Sequence, residues 1–354
     1  MKKILFIVSN LGVGGGAEKS TAMLTKALSE GFDIEILTFY NFKEEYEYNC
    51  IRHSFNDKYS TNILIKLFRF FIKYPLKLKH FLKKNKYDLV VSNAEDANIT
   101  CLFTKKYLFN FKLWTVIRND IFRKDHPYHR FRLWHKNADK AITLTKALQR
   151  KANFEAVAIP NALDFSYISK QAKKTPPYKF HGNKNILMIG RLAAQKNYKL
   201  AIDIMKDMPD YNLYILGDGP LKSELNEKTK DMENVTFLGK TINPYAYLKA
   251  CDLFLLTSNH EGMPRVLMEA LAVGTKAVAN DCPTGPRELL EVPLEKKLTK
   301  YEKTKYGYLV PYNNKEEFKK AITRALSSKE KPKPDQRYDL KKVAKKWREE
   351  IERS

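Results

Sequence analysis

Two glutamates eight positions apart, Glu261 and Glu269, bracket the stretch HEGMPRVLMEALAVG at residues 260–274. The preceding CDLFLLTS (251–258) is an apolar run of strand type, and helical spacing begins near Pro264. Glu261 therefore falls in a strand-to-helix loop, and Glu269 lies one to two turns into the helix. A carboxylate in such a loop accepts hydrogen bonds from sugar hydroxyls, and one on the following helix can hold the paired hydroxyls of a ribose. Taken alone, the two would read as a capping acid and a helix-surface glutamate. A second pair shifts that balance. In GRLAAQKN (190–197), Arg191 and Lys196 occupy the loop after another apolar strand, at the carboxyl edge where open α/β sheets bind ligands. A guanidinium fork and a mobile ammonium suit a diphosphate.

A third candidate is GVGGGAE (12–18), where glycines between a buried strand and a helix allow backbone N–H groups to approach an anion or a sugar. The register is not G-x-G-x-x-G, and no acidic residue closes the second strand, which argues against a nicotinamide site.

The elements that must carry these loops recur along the chain. KILFIVS (3–9), DIEILTFY (33–40), YDLVVSN (87–93), KLWTVIRN (112–119) and KAITLT (140–145) read as strands of a parallel sheet. The series restarts with NILMIGRL (185–192), YNLYILGDG (211–219), VTFLG (235–239), CDLFLLTS and TKAVAND (275–281). Two doubly wound domains are expected, 1–165 and 166–330, followed by a helix at 331–354 that returns to the first. Length agrees, since 354 residues exceed one ordinary core. Sixty-four basic residues against 40 acidic ones point to anionic partners. The excess is +12 in residues 1–165 and +12 in the remainder, so it is no single nucleic-acid-binding tail. Four scattered cysteines without a C-x-x-C pair suit reduced thiols in a cytosol.

With these residues in order, the chain resembles the retaining GT-B glycosyltransferases of family GT4, which transfer sugars from nucleotide diphosphates. Glu261-x7-Glu269 matches that family's E-x7-E motif. GRL…QKN matches its diphosphate pair, ILGDGPL (215–221) its central strand-turn, and IPNALD (159–164) its interdomain crossover. DCPTGPREL (281–289) further resembles the subgroup that builds bacterial lipid-linked oligosaccharides and surface polysaccharides. The resemblance implies two Rossmann-like domains facing a cleft, with a UDP-sugar as donor and no metal cofactor. Glu269 would bind ribose, Arg191 and Lys196 would hold the diphosphate, and Glu261 would lie against the transferred sugar. Gly15, Gly16, Gly217, Leu238, Met263, Arg265 and Val266 would complete the donor site. Many relatives place a histidine after an N-domain strand where TVIRND (115–120) offers Arg118 and Asn119, so a catalytic role for these two is the expectation at that position. A front-side mechanism, in which the leaving phosphate helps deprotonate the acceptor, is implied.

Two segments remain. His126, His129 and His135 sit among Arg and Lys rather than with further zinc ligands, which favours a basic loop over a metal site. The stretch NILIKLFRFFIKYPLKLKHFLKKNK (62–86) carries eight Lys or Arg and no carboxylate. Lys66, Arg69, Lys73 and Lys77 recur at helical spacing, with Ile63, Leu67, Phe70, Tyr74 and Leu78 on another face. This reads as a helix contacting an anionic membrane or a lipid pyrophosphate, against the alternative of a solvated basic face kinked at Pro75. The expectation is a peripheral enzyme on the cytoplasmic membrane face, acting on a glycolipid or lipid-linked oligosaccharide and not on nucleic acid.

Overall fold

A computed structural model describes residues 1–12, 16–43, 45–182, 184–328 and 330–354. The chain divides into two compact units, Met1–Ala162 with Asp339–Ser354, and Leu163–Tyr338.

Among the described residues the first unit holds seven strands: β1 Lys3–Val8, β2 Asp33–Tyr40, β3 Ile51–Asp57, β4 Leu89–Asn93, β5 Leu113–Ile117, β6 Lys140–Thr143 and β7 Ala156–Ala158. They pair in parallel in the order β3-β2-β1-β4-β5-β6-β7. Ile4 to Val8 are all buried, as continuous apolar runs must be when helices cover both faces of a sheet. The helix Leu340–Glu352 completes this unit. Val343, Ala344, Trp347 and Ile351 form its buried face, and the Trp347 ring lies 6.3 Å from both Phe6 and Trp114. Lys2 Nζ donates to Ile351 O (2.7 Å), and Lys140 pairs with Glu350 (2.7 Å).

The second unit repeats the plan with β8 Asn185–Ile189, β9 Asn212–Leu216, β10 Val235–Gly239, β11 Leu253–Leu256, β12 Ala277–Asn280, β13 Glu302–Thr304 and β14 Gly307–Val310. The order is β10-β9-β8-β11-β12-β14-β13, parallel except for the β13–β14 hairpin. In each sheet the order reverses direction beside the first strand, between β1 and β4 and between β8 and β11. Such switch points open a crevice at the carboxyl ends of the strands.

The unit boundaries fall at 162/163 and 338/339. Residues 331–338 stay with the second unit because their polar groups are bonded there. The Asp335 N–H donates to Leu271 O (3.0 Å), Arg337 donates to Leu289 O (2.6 Å), and Tyr338 O accepts from the Leu163 N–H (2.8 Å). Among the described residues, no helix is long and apolar enough to cross a membrane.

Candidate active site

The second unit gathers most of the expected residues at its switch point. The loop after β8 passes through Gly190, Arg191 and a short 3-10 turn, Ala194–Lys196. It is locked to the neighbouring loop after β11. The Asn259 N–H donates to Gln195 O (2.8 Å), Gln195 Nε2 to His260 O (3.0 Å), and Thr257 Oγ1 to Lys196 O (3.0 Å). Asn197, at φ 50°, turns the chain into the helix Tyr198–Lys206 and bonds Asn259 Oδ1 (3.1 Å). Asn280, at the end of β12, donates to Ser258 O (3.0 Å) and Asn313 Oδ1 (2.8 Å). A ring of amide side chains thus fixes the loops from four strands, as a site built on loops requires.

Within that frame Lys196 Nζ lies 2.6 Å from Glu261 Oε1. Glu261 is 7% exposed. A buried carboxylate is tolerated when it is paired and hydrogen-bonded. The residues expected to hold a diphosphate and a sugar therefore meet directly. Arg191 is exposed at the mouth of the same loop. Tyr198 packs behind the pair and donates to Gly190 O (3.0 Å), and burial first, then the nearby Glu261 charge, pushes its hydroxyl pKa up. Cys282 lies in the same field, its thiol pushed up by burial and then by Glu261.

Glu261 is positioned by its backbone. Its N–H donates to Pro283 O (2.8 Å) and its O accepts from the Thr284 N–H (2.9 Å), while Thr284 Oγ1 donates to Gly262 O (2.9 Å). A Cβ on Gly285 would lie 2.5 Å from Gly262 O and 2.6 Å from Pro264 Cδ. The CPTGP segment is thus a clamp on the EGMP loop.

Pro264 then caps the helix Arg265–Ala272. Arg265 Nε lies 3.1 Å from Glu269 Oε1, and the buried Tyr245 hydroxyl lies 3.3 Å from the same oxygen. Two donors fix the buried Glu269 carboxylate. Met263 is buried beneath the loop, while Arg265 and Val266 form the partly exposed first turn. Gly217, after β9, meets Gly190 so closely that a Cβ would stand 1.9 Å from Gly190 O. Only glycine permits this approach between neighbouring strand ends. Leu238 lies on edge strand β10, where the pairing with β9 shifts register between Phe237 and Gly239.

In the first unit, Arg118 follows β5 and is buried. Its Nε donates to Asn93 Oδ1 (2.6 Å) and a terminal nitrogen to Asn161 Oδ1 (2.8 Å), and Asn93 is itself bonded to Thr21 (2.5 Å). Asn119 is exposed and donates to Glu95 Oε1 (3.2 Å). Burial pushes the Glu95 carboxyl pKa up, with Asp96 adding repulsion. Gly16 opens the helix Gly16–Leu28, and Gly15 lies outside the described residues. Sequence reading missed Glu95, Asn93, Asn161, Tyr245 and the amide ring. Only the asparagines at the ends of β4 and β12 carried a local signal, a polar residue closing an apolar strand.

The basic face of 62–86 differs from expectation. The helix runs Ile63–Phe68, through a π-helical turn Arg69–Lys73, into Tyr74–Lys84. Lys73 pairs with Asp57 (2.6 Å), Arg69 donates to Lys58 O (2.6 Å) and Lys77 to Phe55 O (3.2 Å). Lys66 stands 5.8 Å from the Tyr59 ring centre. These cations face β3 and its flank. Phe70, Tyr74 and Leu78 are buried, but Ile63 and Leu67, expected beside them, are exposed. Pro75 sits where the π-helical turn passes into the last segment, and the helix runs on through it. His135 is a core residue, its Nδ1 2.8 Å from Thr115 Oγ1 and its ring stacked on Phe154.

Two doubly wound units, with a buried glutamate and a lysine paired at a strand switch point, make this the candidate site of a transferase. Residues 169–347 match the family of glycosyl transferases group 1, and the chain belongs to that family. It is 30% identical to a glycosyltransferase of Methanocaldococcus jannaschii over 291 residues, 72% of this chain and 70% of the relative. It is 24% identical over 320 residues to the GalNAc-alpha-(1->4)-GalNAc-alpha-(1->3)-diNAcBac-PP-undecaprenol alpha-1,4-N-acetyl-D-galactosaminyltransferase of Campylobacter jejuni, covering 82% of each chain. Its fold is similar to Anabaena HepE, solved in complex with UDP and glucose, at a TM-score of 0.75 and 19% identity, over 99% of this chain and 100% of that one.

Proposed function

We propose that this glycosyltransferase moves a HexNAc or hexose from a UDP-sugar, with retention, to a lipid-linked oligosaccharide or lipooligosaccharide at the cytoplasmic membrane face. The observation that carries the reading is the Lys196–Glu261 pair at the β8/β11 switch point, with Glu269 fixed on the next helix. The ribose hydroxyls donate to Glu269. The diphosphate takes Lys196 and Arg191 together with the positive end of the helix Arg265–Ala272, so its charge is met without a metal. As Lys196 turns to phosphate, Glu261 becomes free to accept from the sugar. The bond from the sugar's anomeric carbon to the diphosphate oxygen breaks, and both electrons leave with the phosphate. The acceptor oxygen attacks from that same face and its proton passes to the departing phosphate. Arg118, held by two asparagines, adds a fixed positive charge on the first unit's carboxyl edge.

The relative named for a PP-undecaprenol substrate supports a lipid-linked acceptor, and the UDP in the Anabaena structure supports the donor. The exposed apolar side chains between 63 and 76 favour this over a soluble acceptor. The test is a panel of UDP-sugars offered to the purified protein. One should be hydrolysed slowly in the absence of acceptor, and Glu261→Gln should reduce that rate far more than it reduces UDP affinity. Equal hydrolysis of none, with no UDP binding, refutes the reading.

A further inference from the structure

The helical segment 63–84 presents a stripe that no described residue of the first unit covers. Leu64, Phe68, Ile72 and Leu76, four residues apart, are 72%, 53%, 50% and 53% exposed. Ile63, Ile65 and Leu67 widen its first half, and Tyr59 and Phe42 stand exposed close by, their rings 6.4 Å apart. At about 1.5 Å per residue the stripe is roughly 18 Å long. Contiguous exposed apolar surface of this kind marks an interaction site.

The helix is held so that this stripe faces outward. Phe70, Tyr74, Leu78 and Leu82 pack into the core with Leu37 and Phe39 of β2 and Ile99 and Leu102 of the helix Glu95–Tyr107. The cations along one flank are engaged with Asp57 and with the carbonyls of Phe55 and Lys58. In the π-helical turn the Tyr74 N–H bonds Arg69 O, five residues back, which resets the phase of the following turns. Beyond Leu76 the same line continues into exposed His80, Lys83, Lys84 and Lys86.

We propose that this stripe inserts into the interface of an anionic lipid bilayer, with Lys83, Lys84 and Lys86 on the headgroups and Tyr59 at their level; the inference rests on the lipid-acceptor reading above. Charge selects the occupant. The segment 62–86 carries eight cations and no carboxylate, so a second copy of this +24 chain is repelled while a negative surface is attracted. The contact is then largely apolar, and Lys73 and Lys77 serve the fold rather than the membrane.

The experiment is flotation with vesicles of phosphatidylglycerol and phosphatidylcholine, alongside vesicles of phosphatidylcholine alone. Wild-type protein should float with the anionic vesicles and retain part of its binding at high salt. Phe68→Ser with Ile72→Ser should lower the partition constant by about tenfold or more, with UDP affinity and melting temperature unchanged. Phe68→Trp should blue-shift on vesicle addition and be quenched by brominated lipid. Lys73→Gln should lower the melting temperature and leave flotation intact. Binding that vanishes at high salt and ignores the serine substitutions overturns the insertion, leaving only a charged surface. Wild-type dimers that the serine substitutions dissociate overturn it in favour of self-association. Failure of UDP to bind, with flotation intact, removes the transferase reading and leaves the inserting stripe standing.

Discussion

Replacing Lys196 with alanine acts on two states of the site. Without nucleotide, Lys196 Nζ donates to the nearly buried Glu261 at 2.6 Å, with side chains 19% and 7% exposed. A charge-assisted bond contributes about 1.5–3 kcal/mol. On the proposed reading the diphosphate takes over that ammonium and the Glu261 bond is given up, so Lys196→Ala removes only the surplus of one such bond over the other, up to about 1.5 kcal/mol or about tenfold in UDP affinity. It also strands the Glu261 carboxylate beside the diphosphate, which adds like-charge repulsion. Glu261→Gln alone removes the acceptor that competes for the ammonium, so UDP affinity should be retained or slightly raised. The double variant should then bind UDP more tightly than Lys196→Ala does, because the stranded charge is gone. Calorimetric titration of UDP into wild type, both single variants and the double variant closes this cycle. Lys196→Ala binding within twofold of wild type, or a double variant no better than Lys196→Ala, refutes the argument.

The other expectations concern the folded state. Burial pushes the His135 imidazole down to about 3, whereas the unfolded chain returns it to about 6.5. Between those values the unfolded chain binds a proton that the folded chain refuses, so stability falls as pH drops from about 6.5 towards 3. From pH 7.5 to 5.5 that amounts to about 1.4 kcal/mol, and His135→Gln should shrink the loss measured by urea unfolding by this amount. An unchanged loss shows that His135 is protonated in the fold. Gly217→Ala places a Cβ 1.9 Å from Gly190 O and should cost about 1–3 kcal/mol while weakening UDP, since the β8 and β9 ends must separate. Wild-type melting and wild-type UDP affinity would show that the approach is not required.

The glutamate pair and the Arg191/Lys196 loop were legible because each motif lies within a few residues of one strand end, where local spacing fixes the geometry. The amide ring was not, since Asn197, Asn259, Asn280 and Asn313 meet only after β8, β11, β12 and β14 are aligned. Strand β3 escaped because IRHSFND is a half-exposed edge strand without an apolar run. In 62–86 the periodicity announced an amphipathic helix, but two apolar stripes compete, and only packing against β2 and the helix Glu95–Tyr107 decides which is covered. The second boundary lay eight residues later than expected because Asp335 and Arg337 bind backbone carbonyls, partners that leave no trace in composition.

The helix Leu340–Glu352 reverses the order in which the two units can mature. Its Trp347 fills the space between Phe6 and Trp114, yet these residues leave the ribosome after every strand of the second unit. Segment 163–338 is continuous and can close its core during translation, ahead of the unit that was begun first. Until Trp347 arrives, the outer faces of β1 and β5 stay open and the Lys2 and Lys140 ammoniums lack their helix partners. A chain stalled before residue 340 would therefore present a finished second unit tethered to an uncovered sheet, the kind of nascent species that chaperones bind.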